Sequence, residues 1–109
     1  MISKKDDKKI KELISAILLL KGVGEAKNFL RDLLTESELV EFSNRWKAAR
    51  MLSEKISYVE VGKETGLSST TVARVSKWLN TGKGGYKLMI KRIMKNIHHN
   101  NSFVGRGRL

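Results

Sequence analysis

Four short hydroxyl residues in a row, Ser68-Ser69-Thr70-Thr71, precede Arg74 and Lys77 in a stretch without acids. Hydroxyls donate and accept hydrogen bonds. They are also small enough to let a helix end approach another surface closely. Arg74 and Lys77 follow one and two turns on, and Lys83 adds a cation just beyond. Together these types suit a polyanion met at close range. The hydroxyls fit phosphate oxygens and base edges, and the cations fit a phosphate backbone. The sequence therefore nominates Ser68, Ser69, Thr70, Thr71, Arg74, Lys77 and Lys83 as a DNA-contacting set.

Other residue sets carry less. His98 and His99 are adjacent, so they face different sides of a helix, and no acid lies near them; no metal site is expected. Gly82-Lys83-Gly84-Gly85 lacks the spacing and preceding strand of a phosphate-binding loop. It is expected to be a flexible joint that holds Lys83 near a backbone. Glu60 and Glu64 form only an exposed i, i+4 pair, and no nucleophile, base and acid stand together. The chain is not expected to be an enzyme or to require a cofactor. It has no cysteine, which excludes a disulfide framework and thiolate metal sites.

The nominated residues need elements to place them, and the pattern is helical throughout. Proline is absent. Ile10, Leu13, Ile14, Ile17 and Leu18 fall at i, i+3, i+4, i+7 and i+8, a helical stripe within residues 6–20. Lys21-Gly22-Val23-Gly24 reads as a break, with a second helix from about Glu25 to Leu34. Thr35-Glu36-Ser37-Glu38 has the capping-box pattern and opens a helix to about Lys55, with Leu39, Phe42, Trp46, Ala49 and Leu52 on one face. Ser57-Tyr58-Val59-Glu60 repeats the box. The short helix after it stops at Gly66, a residue suited to the left-handed position past a helix end. Ser68 caps the next helix, which is expected to end near Leu79. A last helix is expected from about Tyr86 to Ile97.

Two short helices around a glycine turn, with hydroxyls opening the second, form a helix-turn-helix over about 57–79. In that motif the start of the second helix enters the major groove. Gly62 is read as the small residue where the two helices approach. Thr65 stands where an aliphatic residue would pack better.

Charge supports the assignment. Residues 1–56 hold 12 Lys+Arg and 9 Asp+Glu, a balance of +3, while residues 57–109 hold 10 and 2, a balance of +8. No acid follows Glu64. A polyanion is the expected partner of such a half, and the helix-turn-helix makes that partner double-stranded DNA. Two other readings are a protein-interaction module docking an acidic partner and a nonspecific nucleic-acid binder. The longest apolar run, Ala16–Leu20, is far short of the roughly 20 residues that span a bilayer, and MISKKDDKKI is no secretory signal. The expectation is a cytoplasmic protein with no membrane association. Residues 1–97 are read as one helical DNA-binding domain and 98–109 as a mobile basic tail.

Residues Leu34 to about Leu79 resemble the tryptophan repressor family, in particular its YerC/YecD-like branch. Three features carry the resemblance in order: the Leu34-Thr35-Glu36-Ser37-Glu38 helix start, a long helix with Arg45, and the Ser57–Leu79 unit. It implies an all-α, six-helix fold and an intertwined homodimer of interlocking N-terminal helices. It also implies a sequence-specific transcriptional regulator, a repressor, on a two-fold operator with half-sites about one DNA turn apart. The family's co-repressor pocket maps onto Thr35, Arg45 and Arg74, a set that suits a small-molecule effector with a carboxylate. Val75 replaces the family's glycine there and Trp78 its serine. These departures point away from tryptophan itself, with Trp78 and Val75 expected to fill part of the pocket.

Overall fold

Six helices form among the described residues, in chain order: α1 (Lys4–Ile17), α2 (Gly22–Leu33), α3 (Glu36–Ser53), α4 (Tyr58–Thr65), α5 (Ser69–Thr81) and α6 (Gly85–Asn100). No strand occurs among the described residues, so the all-α expectation holds. The structure is a computed structural model that describes the backbone of residues 1–100 and the side chains of 1–97. Residues 101–109, most of the expected tail, lie outside the described residues, as do the side chains of His98 and His99. No described helix is long and apolar enough to cross a membrane.

The caps explain most boundaries. Ser3 Oγ accepts from Asp6 N at 3.1 Å, so α1 starts earlier than the apolar stripe suggests. It also stops earlier, at Ile17, because Leu19 N and Leu20 N turn back to Ala16 O and Ile17 O. The break expected at 21–24 falls instead at 18–21. Glu25 Oε1 accepts from Lys21 N at 2.9 Å, and α2 begins at Gly22 rather than Glu25. The Thr35 box forms in full: Thr35 N donates to Glu38 Oε1 at 2.9 Å and Glu38 N to Thr35 Oγ1 at 3.1 Å. Ser57 shows its own half, with Oγ accepting from Glu60 N at 3.2 Å.

Packing separates the chain into two compact units, Met1–Leu39 and the remainder from Val40 on, with α3 continuous through the boundary. In the first unit neither α1 nor α2 has a fully buried residue. The apolar stripe of α1 stays largely open, with Ile14 at 47% and Leu18 at 78% exposure.

The second unit has a small core of Ala48, Ala49, Val61, Leu67, Val72 and Val75. Two alanines on α3 leave room for α4 and α5 to seat against it. Trp46 and Tyr86 stack at 6.3 Å between α3 and α6, while Phe42, expected on the packed face, is half exposed.

Candidate nucleic-acid interface

α4 and α5 meet through a turn fixed at every position. Gly66 takes φ +74°, the left-handed conformation that glycine adopts without strain. Its N–H donates to Gly62 O at 2.8 Å. Thr65 is buried, and its hydroxyl explains why a threonine stands there rather than an aliphatic residue. Oγ1 donates to Val61 O at 2.7 Å and accepts from Leu67 N at 3.2 Å, closing the turn from inside. Gly62 has a different role from the one expected. A Cβ there would meet only Leu67 O, at an ordinary 3.7 Å, so no close helix crossing demands the glycine.

Ser68 caps α5. Its Oγ accepts from Thr71 N at 3.1 Å and donates to Thr71 Oγ1 at 3.1 Å. Two of the four nominated hydroxyls are thus engaged with each other. Ser69 and Thr70 are exposed, and among the described residues their hydroxyls have no partner.

Burial then divides α5 into two faces. Val72, Val75, Ser76 and Leu79 point inward. Ser69, Thr70, Ala73, Arg74 and Lys77 form an outward stripe, about 10 Å long from Thr70 to Lys77 at 1.5 Å per residue. The structure therefore brings five residues onto one edge, including Ala73, which residue type alone does not nominate. Its spacing from Thr70, one helical step of three, is the signal that places it there.

The inward face is tied to α4 by one strong bond, Tyr58 Oη donating to Ser76 Oγ at 2.6 Å. Tyr58 is half exposed and Ser76 buried, so the bond joins the two helices near the surface.

Electrostatically the outward stripe is unbalanced. The ion pairs among the described residues are Lys11–Asp7, Arg31–Glu36 and Arg45–Glu41, all at or before residue 45. Arg74, Lys77 and Lys83 are exposed without an acidic partner among the described residues.

Lys83 sits in the turn between α5 and α6. This turn is shaped rather than slack. Gly82 N donates to Trp78 O at 2.9 Å, and a Cβ on Gly82 would lie 2.4 Å from that same oxygen. Gly84 has φ +89°. Trp78, 42% exposed, lines a hollow here with Thr81, Gly82, Lys83, Gly85 and Tyr86.

Each of the three residues nominated for an effector has its own local partners. Thr35 caps α3 in the first unit, its hydroxyl held by Glu38 N. Arg45, on α3 in the second unit, has its guanidinium 3.3 Å from Glu41 and 5.6 Å over the Phe42 ring. Arg74 lies on the outward stripe of α5. Val75 is wholly buried in the core of its own unit.

Residues 8–94 match the family model described as Trp repressor protein. The uncharacterized protein YerC of Bacillus subtilis (strain 168) is 36% identical over 92 residues, 84% of this chain and 88% of that one. A TrpR-like protein from Eubacterium eligens ATCC 27750 superposes with a TM-score of 0.76 at 36% identity, over 79% of this chain and 89% of that one. A Trp repressor candidate of Staphylococcus aureus does so with a TM-score of 0.75 at 31% identity, over 79% and 86%.

Proposed function

The chain belongs to the Trp repressor family, and on that premise we propose that it is a sequence-specific repressor that holds a two-fold DNA operator as a homodimer. The observation that carries this reading is the outward stripe of α5. Its hydroxyls are free at the helix start, its cations lack acidic partners, and the helix behind it is locked to α4 and the core.

Roles follow from position. Ser69 and Thr70 present free hydroxyls to base edges, and the Ala73 methyl suits a thymine methyl beside them. Ser68 and Thr71 use their hydroxyls on each other, so they shape the helix start. The N–H groups and dipole of that start favour a nearby phosphate. Arg74, Lys77 and Lys83 neutralise backbone phosphates and supply most of the salt-sensitive affinity. The open apolar stripe of α1 supports the homodimer, since exposed apolar surface of this kind marks an association face.

The effector reading is narrower than the family pattern. Arg45 already has Glu41 as its carboxylate partner, and Val75 places its side chain in the core where the family has only a glycine hydrogen. We expect no micromolar binding of L-tryptophan by calorimetry, and a clear isotherm in that range would overturn this point.

In vitro selection of DNA sites by the purified protein tests the whole reading. A palindromic consensus with half-sites about one turn apart is expected. Binding without enrichment would instead assign a nonspecific nucleic-acid binder. No binding at all would favour a module for an acidic protein partner.

A further inference from the structure

One groove of the second unit has no part in the reading above. Its walls are the end of α3 with the loop after it, the first turn of α4, the last turns of α5 and the start of α6. Its volume is about 720 Å³, inside the roughly 300–1,000 Å³ range of small-molecule sites. Ile56, Leu79 and Ile90 line it with apolar surface, and Lys55, Lys87 and Lys91 line it with charge. No acid lines it.

All three ammonium groups are exposed, and two features set where they stand. Lys87 and Lys91 are one turn apart on α6, a spacing at which like charges repel. Lys55 comes from a different segment and has φ +67°, the one non-glycine residue with positive φ among those described. It occupies the position past the end of α3 that glycine fills at least strain. Lys55 N donates to Leu52 O and Ile56 N to Met51 O, the bond pair that ends a helix with a left-handed residue. Glycine would relax that backbone and remove an ammonium from the groove.

The polar wall is also fixed. Ser76 Oγ accepts from Tyr58 Oη, and Asn80 Nδ2 donates to Ser76 O at 2.9 Å.

We propose that this groove binds a small organic anion with an apolar body. Its carboxylate or sulfonate sits among the three ammonium groups, and its hydrocarbon covers the Ile56–Leu79–Ile90 floor. Bare phosphate leaves that floor wet, and an uncharged apolar molecule leaves the lysines unneutralised. A second copy presenting the same groove sets lysines against lysines. The groove is walled by α3, α4, α5 and α6 together, so an occupant ties the DNA-reading helix to its support. That regulatory consequence rests on the DNA-binding reading above; the binding itself does not.

The test titrates the DNA-free full chain with decanoate below its micelle concentration, with decanol and with inorganic phosphate, followed by backbone amide NMR. Decanoate should shift the amides of Ile56, Leu79, Asn80 and Ile90. It should bind about tenfold more tightly than either control, the worth of one charge-assisted hydrogen bond. Joint Lys87→Gln and Lys91→Gln substitution should weaken decanoate by about tenfold on the same basis and leave decanol unchanged. Lys55→Gly should unfold at a higher temperature yet bind decanoate less tightly, a combination that a purely structural role for Lys55 does not give. Equal binding of decanol and decanoate, equal binding of phosphate, or shifts confined to other residues would each overturn the proposal. Because no DNA is present, none of these outcomes depends on operator binding.

Discussion

On the proposed reading, Lys77→Gln removes one phosphate contact per protomer and, through its size, counts the protomers on the DNA. The Lys77 side chain is exposed on the outward stripe of α5 and has no ion pair among the described residues. Glutamine matches lysine in helix propensity, so folding stability should move by less than about 0.5 kcal/mol. The effect is confined to charge. Each neutralised phosphate contributes about 0.9 to the slope of log affinity against log salt. If one protomer engages the DNA, the substitution lowers the slope by about 0.9. If two engage symmetrically, the same substitution acts twice and lowers it by about 1.8.

Between about 50 and 200 mM salt those slopes correspond to about 3.5-fold and 12-fold changes in the advantage of the parent protein. Fluorescence anisotropy across a salt series, on a selected operator and a scrambled duplex, resolves them. The loss should be the same on both duplexes, because phosphate carries no base identity. A slope that does not move, or a loss on the operator alone, would remove Lys77 from the backbone and refute the assignment of the outward edge.

Three other substitutions probe the scaffold that aims this edge. Gly82→Ala puts a Cβ 2.4 Å from Trp78 O, a backbone atom that cannot step aside; it should cost about 1–3 kcal/mol, or roughly 4–8 °C of Tm per kcal/mol, and an unchanged melting curve would show the joint to be slack. Tyr58→Phe removes the 2.6 Å bond to the buried Ser76 hydroxyl; urea unfolding should show a loss of about 1–2 kcal/mol, and no loss would mean that water replaces the bond freely. Thr65→Val keeps the shape but strips the Leu67 N–H of its acceptor; it should destabilise by about 1–3 kcal/mol while Thr65→Ser stays near the parent, and a gain with valine would show that packing outweighs the hydrogen bond.

Local hydrogen bonding made much of this fold legible before any coordinates. The Thr35 box, the Ser57 and Ser68 caps and the Gly66 stop are each decided by residues within four positions, and each forms as its sequence suggests. Boundaries depart from the sequence pattern where the signal has an unfamiliar form. Glu25 caps α2 from four residues downstream, and Lys55 ends α3 in a conformation that glycine usually announces. Periodicity found the stripe of α1 but could not state its exposure, because a period records which face is apolar and not what lies against it.

The interface required a subtraction that composition cannot perform. Residue type alone nominates seven hydroxyl and basic residues. Burial of Val72, Val75, Ser76 and Leu79 fixes the rotation of α5, and the cap withdraws the Ser68 and Thr71 hydroxyls from the edge. Over the first turns of α5 what remains outward is Ser69, Thr70, Ala73, Arg74 and Lys77, and the exposed Trp78 follows one turn after Arg74. On the proposed reading, an alanine here allows a close approach to base edges, since a longer side chain would hold the helix away from the groove floor. On that reading its methyl both meets a thymine methyl and leaves the helix room, so enlarging it should lower affinity on the selected operator more than on a scrambled duplex while leaving the salt slope where it was.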